Sequence, residues 1–303
     1  MTELSLGTWG LSGEGYGYVA PGEADAVIGL AAERGINLFE TSYSYNKGAM
    51  VQRLGRILRD VKDAIVSIRI GIEDAPDGSR RKNFEPAFLR DVVLRCRDYL
   101  CRSRVDVVLL HNPDAWTVAH GQATGLLQQL CEEEAIGAWG VSATSTDCAL
   151  ASLEAGAQVL SVPYNVLYTQ SINNIAAPLA SRPVSVLAHS ILAYGLLAGH
   201  WGPSRTFDVD DHRRERWTPE VFAARLRQCE SIMKRLCPSH MTPREVAIRF
   251  VLSNTLVSTA VLGPRTTGQL LQMLREAGDG PPYLGHEALA ALPALLTTIE
   301  RTS

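Results

Sequence analysis

The sequence predicts a (β/α)8 barrel, and two patterns support this fold class. Eight short apolar or β-branched segments alternate with longer segments whose apolar residues recur at helical spacing, as in successive βαβ units. Several short segments are apolar almost throughout, such as residues 105–110, which is typical of parallel strands covered on both faces. Eight such units favour a closed barrel over an open doubly wound sheet.

The elements follow one another regularly along the chain. The predicted strands cover residues 4–10, 36–41, 64–71, 105–111, 138–142, 159–164, 184–190 and 258–263. Helical spacing is clearest in two of the intervening segments. Their apolar faces comprise Ala24, Val27, Ile28, Ala31 and Ala32 before Gly35, and Leu89, Val92, Val93, Cys96 and Leu100.

Length and charge restrict the organisation and the partners. The chain has 303 residues, of which 46% are apolar, and no Gly/Ser-, Pro- or charge-rich linker divides it, so we predict one domain over residues 1–303. The net charge of -3 is not concentrated in a block of one sign, which argues against nucleic acid or an anionic membrane as a partner. No run of about 18 apolar residues predicts a membrane span. A small molecule is the expected partner.

The cysteines and the N-terminus suggest a reducing compartment. No CxxC pair or Cys/His spacing typical of zinc occurs, so free thiols and no metal site are expected. Residues 1–4 do not begin a basic and then apolar leader, and we expect a cytoplasmic location. The six cysteines are Cys96, Cys101, Cys131, Cys148, Cys229 and Cys237.

Two long insertions, residues 10–21 and 200–218, are expected on the face of the barrel where active sites are built, where they would bind or cover a ligand. In the second, the arginines after Asp211 predict internal ion pairs or a mobile lid, and the acidic spacing is not that of a calcium loop.

The basic run at residues 80–82 is predicted to be a solvated loop without a role. Candidate walls of a substrate pocket, each equally compatible with an ordinary core or rim position, are Trp9, Tyr16, Trp116 and Trp201.

Polar side chains stand at the carboxyl ends of successive predicted strands. Glu40 and Arg69 interrupt apolar runs on neighbouring strands, and because buried charges are costly unless paired, we expect them to meet. Tyr45 beside this pair would have its pKa lowered by Arg69 and act as a general acid, while His111 would orient a substrate oxygen. A Glu/Arg pair can also simply tie two strands together, but four such strand ends favour a catalytic site.

Over nearly its whole length the chain resembles the aldo-keto reductases. Residues 35–45, Gly-Ile-Asn-Leu-Phe-Glu-Thr-Ser-Tyr-Ser-Tyr, are similar to the family segment that carries the catalytic tyrosine, here Tyr45. Residues 106–111 are similar to the segment with the catalytic histidine, here His111. Later similarities, in order, lie at residues 140–142, 163–165, 190–199, 242–252 and 261–265.

The resemblance implies a (β/α)8 oxidoreductase that uses NADPH, but with an altered site. The family's catalytic Asp, Tyr, Lys and His correspond here to Glu40, Tyr45, Arg69 and His111. Charge is conserved, whereas shape is not, because both substituted side chains are longer and arginine presents a rigid planar fork.

The cofactor positions implied by the resemblance are also only partly kept. Of the Ser, Asn and Gln that hold the nicotinamide carboxamide, Ser142 remains, with Ala143 and Ser161 at the other two places. His189 stands where an aromatic ring stacks on the nicotinamide, and Gln272-Met273 replaces an adenine-contacting Glu-Asn pair. The remaining expected cofactor contacts are Ser190 and Leu192 after the seventh strand, and Gly263, Arg265, Thr266, Thr267 and Gln269 at the phosphate end.

Three functions are therefore open. The first is NADPH-dependent reduction of an aldehyde, ketone or keto-sugar with Tyr45 as proton donor. The second retains the acid-base residues for a non-redox dehydration, elimination or epimerisation. The third is a nucleotide-binding barrel without catalysis, against which the presence of Tyr45 and His111 argues.

Overall fold

The computed structural model describes residues 1–75, 77–236, 240–285, 287 and 289–290. The strands in chain order are β1 (Leu4–Gly7), β2 (Leu38–Ser42), β3 (Ile65–Ile70), β4 (Ile72–Asp74), β5 (Arg80–Lys82), β6 (Val105–His111), β7 (Ile136–Ser142), β8 (Val159–Pro163), β9 (Ser185–His189) and β10 (Thr259–Leu262). Eight of them pair in parallel and close a barrel in the order β1-β10-β9-β8-β7-β6-β3-β2, which confirms the predicted (β/α)8 architecture. Strands β4 and β5 form a separate antiparallel hairpin.

Helices connect the strands around the outside of the barrel. In chain order they are α1 (Pro21–Glu33), α2 (Ala49–Ile57), α3 (Pro86–Leu100), α4 (Ala115–Ala119), α5 (Gln122–Glu132), α6 (Thr146–Glu154), α7 (Gln170–Asn173), α8 (Ala176–Ala180), α9 (Arg213–Arg216), α10 (Pro219–Leu236), α11 (Pro243–Leu252) and α12 (Thr267–Ala277). Their starts have local causes. Helix α11 begins with a complete capping box between Thr242 and Glu245, and Thr266 caps α12 by accepting from the Gln269 amide.

Two apolar layers hold the barrel. Inside it, alternate strand residues pack against one another, because successive strand side chains point to opposite faces. The larger layer lies between the strands and the surrounding helices. The inner layer consists of Leu38, Val107, Leu109, Val159, Leu187 and Val261. Above it, towards the carboxyl ends of the strands, the inward positions become polar, and this is where the site forms.

The observed strand limits differ from the predicted ones most at the first strand. Its last bond to β2 is from the Thr8 amide to the Glu40 carbonyl at 2.9 Å, and the strand ends at Gly7 because the chain then turns into a 3-10 helix at Trp9–Leu11.

The basic run at residues 80–82 is exposed to solvent, as predicted, but it is not a loop, and that part of the prediction was wrong. It forms β5, where Arg81 lies opposite Glu73 and Arg80 opposite Asp74. The corresponding ion pairs are 2.9 Å and 3.1 Å long and link the two short strands. Opposite charges across the hairpin therefore gave this segment a regular structure.

Candidate active site

A cavity of about 740 Å³ opens at the carboxyl ends of the barrel strands. Inward strand positions supply its floor, and the loops that follow the strands supply its walls. Its lining includes all four residues expected to carry chemistry, Glu40, Tyr45, Arg69 and His111. The strand register brings them together, since Ser42 lies opposite Arg69 and Arg69 opposite Leu109, two residues before His111.

Glu40 and Arg69 meet as expected from the cost of burying either charge alone. Arg69 Nε donates to Glu40 Oε1 at 2.5 Å, and only 2% of Glu40 and 9% of Arg69 are exposed. The glutamate raises the pKa of the guanidinium against the opposing effect of burial, so Arg69 stays charged. Gly7 lies opposite Glu40, and a Cβ there would stand 2.8 Å from Val261 Cγ1 but at an ordinary contact distance of 3.6 Å from Glu40 Oε2, so it is the packing against Val261 that favours glycine.

Tyr45 begins the 3-10 helix Tyr45–Gly48 directly after β2 and is buried in the cavity wall. The Arg69 guanidinium carbon lies 5.9 Å from the centre of its ring. We expected Arg69 to lower the pKa of Tyr45, and it does act in that direction. Burial is the larger effect, however, and it raises the pKa of the phenol above its usual value. The expectation of a net lowering was therefore wrong, and Tyr45 is fully protonated at neutral pH.

His111 ends β6 and faces the Tyr45 ring edge-on, with 6.5 Å between the ring centres. Ser42 Oγ donates to the Arg69 carbonyl at 3.0 Å and lies 3.1 Å from His111 Nδ1, which fixes the orientation of the imidazole. Burial, and then the nearby Arg69 charge, hold the pKa of His111 well below its usual value. The imidazole is therefore neutral at physiological pH.

The expected nicotinamide contacts are only partly in the cavity wall. His189, Ser190 and Leu192 line it, as expected. Ser142 and Ser161 do not, because both are fully buried beneath it. The Ser142 hydroxyl donates to Asn112 Oδ1 at 2.8 Å. The cavity residue at this place is thus Asn112, which the sequence analysis missed.

At the opposite end, Gly263, Arg265 and Gln269 line the cavity as expected. Two of the backbone amides at the expected phosphate positions, those of Arg265 and Thr267, are already bonded within the chain. The Thr267 amide donates to the Glu23 carboxylate at 2.6 Å, and the Arg265 amide donates to Gln269 Oε1 at 2.8 Å. Arg265 Nη2 donates to the Gly17 and Tyr18 carbonyls. Side chains therefore contribute more to this end than the helix amides.

The two long insertions pack against each other over the cavity. The His212 amide donates to the Gly15 carbonyl at 3.0 Å, and Tyr16 pairs with Asp211 as an isolated bridge. The predicted internal ion pair is present between Arg213 and Asp211, and the Arg213 guanidinium lies 4.8 Å from the Tyr16 ring centre. Residues 200–218 thus form a strap held by charge and aromatic contacts.

Of the candidate aromatic walls, Trp9, Tyr16 and Trp201 line the cavity. Trp116 does not, so the proposed substrate contact by this residue was wrong. It is 69% exposed and stacks on His120, with 4.5 Å between the ring centres. The short helix α4 carries it away from the strand ends to the surface.

Several cavity residues had no assigned role in the sequence analysis. Alternation along the basic run could have indicated two of them, because residues two apart in a strand share a face. Asn112 directly follows His111 at the end of a predicted strand, whereas Arg244 comes from a distant segment and carries no local signal. The cavity residues without an assigned role are Arg80, Lys82, Asn112 and Arg244.

Among the described residues, no helix could span a membrane. The same residues contain no cluster of three or more His, Cys, Asp or Glu suited to a metal ion. Five of the cysteines are free thiols, while Cys237 lies outside the described residues.

Comparisons with known proteins agree with the fold and identify the family. A model of the aldo/keto reductase family matches residues 3–277. Aldo-keto reductase YhdN of Bacillus subtilis is 24% identical, over 89% of this chain and 83% of that protein. A D-threo-aldose 1-dehydrogenase from a Pseudomonas species is also 24% identical, over 82% of each chain.

Solved structures give the same result. A glycerol dehydrogenase from Gluconobacter oxydans superposes with a TM-score of 0.81 at 25% identity, covering 98% of this chain and 92% of that one. An aldo-keto reductase from Bacillus halodurans has a TM-score of 0.79 at 19% identity, covering 97% and 91%, and shares the fold. From the family match over residues 3–277, the chain belongs to the aldo/keto reductase family of oxidoreductases.

Proposed function

We propose that this protein reduces the carbonyl group of a small molecule with NADPH, and that Tyr45 is the proton donor. The observation that carries the proposal is the meeting of Tyr45, His111 and the Glu40–Arg69 pair at one end of a cavity with His189 and Arg265 also in its wall. The similar proteins include an aldose dehydrogenase and a glycerol dehydrogenase, and these names indicate related carbonyl and alcohol substrates, which supports this substrate class.

The residues present fit a nicotinamide dinucleotide. His189 Nε2 and Arg265 Nε are buried without a hydrogen-bond partner among the described residues, one at each end of the proposed cofactor site. Asn112 would contact the carboxamide in place of the absent family residues, since Ser142 binds its Oδ1 and leaves the amide NH2 for a ligand. Arg265 would pair with the 2′-phosphate. The cofactor, when bound, supplies the hydride that adds to the carbonyl carbon.

The chain's own residues would handle the proton. The phenol of Tyr45 is protonated at neutral pH and donates its proton to the carbonyl oxygen as the alcohol forms. Arg69 stabilises the resulting phenolate, and Glu40 holds Arg69 in place. The neutral His111 contacts the same oxygen and orients it towards Tyr45.

Titration of the protein with NADPH, monitored by the fluorescence of the bound nicotinamide, tests cofactor binding. Consumption of NADPH with a panel of aldehydes, ketones and keto-sugars tests carbonyl reduction. Tyr45→Phe should bind NADPH as the wild type does and lose about 100-fold or more in kcat, because it keeps the ring and removes the proton. A protein that neither binds nor consumes NADPH would falsify the proposal.

One observation favours a second function, non-redox acid-base chemistry on a carbonyl compound. Ser142 and Ser161 do not line the cavity, so part of the usual carboxamide site is missing. Turnover by a sample that mass spectrometry shows to be free of nicotinamide would establish this function. Strict dependence of turnover on added NADPH excludes it.

A further inference from the structure

The cavity is strongly cationic. Among the described residues that line it, Glu40 is the one carboxylate, whereas seven side chains are cationic. The seven are Arg69, Arg80, Lys82, Arg205, Arg213, Arg244 and Arg265. Because a cleft lined by one sign of charge concentrates ligands of the opposite sign, the lining points to anionic ligands.

Most of these cations already have carboxylate partners. Arg69 pairs with Glu40, Arg213 with Asp211, and Arg244 with Glu276. Arg80 pairs with both Glu14 and Asp74. Three cations remain without an ion pair among the described residues, namely Lys82, Arg205 and Arg265.

The three lie in different parts of the wall. Arg265 belongs to the end assigned above to the phosphate of the cofactor. Arg205 lies against aromatic rings of the strap, with its guanidinium carbon 5.8 Å from the ring centre of Trp201. Lys82 is on the hairpin β4–β5, which continues directly from the strand that carries Arg69.

The hairpin register directs Lys82 to the catalytic end. Arg80 and Lys82 are two residues apart in β5 and share a face, while Arg81 points the other way and pairs with Glu73. Arg80 Nη2 donates to the Ser44 carbonyl at 3.0 Å, immediately before Tyr45. Lys82 and Arg80 both contribute to the lowered pKa of His111, which fits a position near the imidazole.

Lys82 is exposed at the cavity wall, and no carboxylate among the described residues forms an ion pair with it. Its cross-strand partner is Ile72, which is apolar and also lines the cavity. Asp114, which caps the start of α4, is a carboxylate within electrostatic range of Lys82. Asp114 forms no ion pair with Lys82 and instead caps α4, accepting from the Thr117 amide at 2.7 Å.

We propose that the carbonyl substrate carries an anionic group, a phosphate or a carboxylate, which Lys82 binds while the carbonyl oxygen lies between Tyr45 and His111. This inference rests on the proposed function and specifies its substrate class. Arg80 assists by orienting the hairpin, since its own charge is shared with Glu14 and Asp74.

Matched substrate pairs test this inference. Glyceraldehyde 3-phosphate is compared with glyceraldehyde, and succinic semialdehyde with butanal, at saturating NADPH. The wild type should show a higher kcat/KM for the anionic member of at least one pair, and the pair that shows it distinguishes phosphate from carboxylate. In Lys82→Met, the ratio of kcat/KM between anionic and neutral members should fall about tenfold or more, mainly through KM.

Two variants control for charge and shape. Lys82→Arg should keep the ratio within about threefold of the wild type, because it conserves the charge. Lys62→Met, which removes an exposed lysine outside this cavity, should leave the ratio unchanged. A wild type that treats both members of each pair alike, or a Lys82→Met enzyme with an unchanged ratio, overturns the inference and leaves carbonyl reduction intact.

A binding measurement with anionic ligands tests this inference even if the proposed function fails. If no carbonyl compound is turned over, calorimetry with glycerol 3-phosphate and with succinate still tests the anion site. Binding that is lost in Lys82→Met and kept in Lys62→Met supports the site. Binding that does not depend on Lys82, or no binding, overturns it.

Discussion

The buried Glu40–Arg69 pair is the clearest departure of this site at the level of single residues. The family resemblance implies a shorter acid and a lysine at these places. Here the longer glutamate is buried, and Arg69 donates to it through Nε. The pair therefore preserves a positive charge beside Tyr45 with a different shape, held by the packing of three neighbouring strands.

Breaking this pair on one side should destabilise the fold. Arg69→Met leaves Glu40 buried and unpaired, and the free energy of unfolding should fall by about 3–5 kcal/mol. The double variant Arg69→Met/Glu40→Gln should recover part of this loss, since no buried charge remains uncompensated. Urea denaturation at neutral pH measures all four members of the cycle. Additive effects of the two single substitutions would show that the residues do not interact.

Asn112 supplies a second prediction at this scale. If it holds the nicotinamide carboxamide, Asn112→Ala should weaken NADPH binding about tenfold, the loss expected for one hydrogen bond to a ligand. Ser142→Ala, which removes the donor to Asn112 Oδ1, should have a smaller effect. Fluorescence titration gives both dissociation constants. An unchanged affinity in Asn112→Ala with a weakened one in Ser142→Ala would return the role to Ser142.

At the level of elements, the insertions decide the form of the cavity. The strap at residues 200–218 packs on the loop at residues 10–21, and Arg213 joins the two. Its guanidinium pairs with Asp211, donates to the Tyr194 carbonyl at 3.2 Å and lies over the Tyr16 ring. Composition indicated ion pairs in this segment, but which arginine forms them depends on the fold of both loops.

Loss of Arg213 should loosen the strap. Arg213→Met removes the Asp211 pair and the contact with Tyr16, so thermolysin should cleave within residues 200–218 about tenfold faster, because cleavage follows the population of locally opened protein. Arg214→Met is the matched control, since Arg214 is exposed and should leave the rate unchanged. Mass spectrometry of the fragments locates the cuts. Equal cleavage rates in the two variants would show that Arg213 does not hold the strap.

For the whole molecule, two partly buried histidines in the cavity wall, His111 and His189, couple stability to pH. Burial lowers the pKa of His189 to about 3 and that of His111 well below its usual value. Both are neutral in the folded protein, whereas in the unfolded chain they bind protons below about pH 6.5. The folded state therefore becomes less stable as the pH falls through that value.

The free energy of unfolding should fall by up to about 1.4 kcal/mol per pH unit for each of these histidines below pH 6.5. Urea denaturation at pH 7.5, 6.5 and 5.5 measures the slope, above the range in which most carboxylates titrate. His189→Gln should make the slope shallower by removing one of the two groups. A stability that stays flat between pH 6.5 and 5.5 would contradict the assignment of neutral, partly buried imidazoles.

The sequence by itself determined the barrel and the four residues gathered at its active end. Strand periodicity places Glu40, Arg69 and His111 at strand ends, and parallel strands end on one face, so their proximity follows from local patterns. The tertiary structure alone decided which other side chains share the cavity. Ser142 and Ser161 lie beneath it, Trp116 lies on the surface, and Lys82 reaches it through a hairpin. It also decided the direction in which the pKa of Tyr45 shifts, because burial depends on contacts between distant segments and outweighs the neighbouring charge.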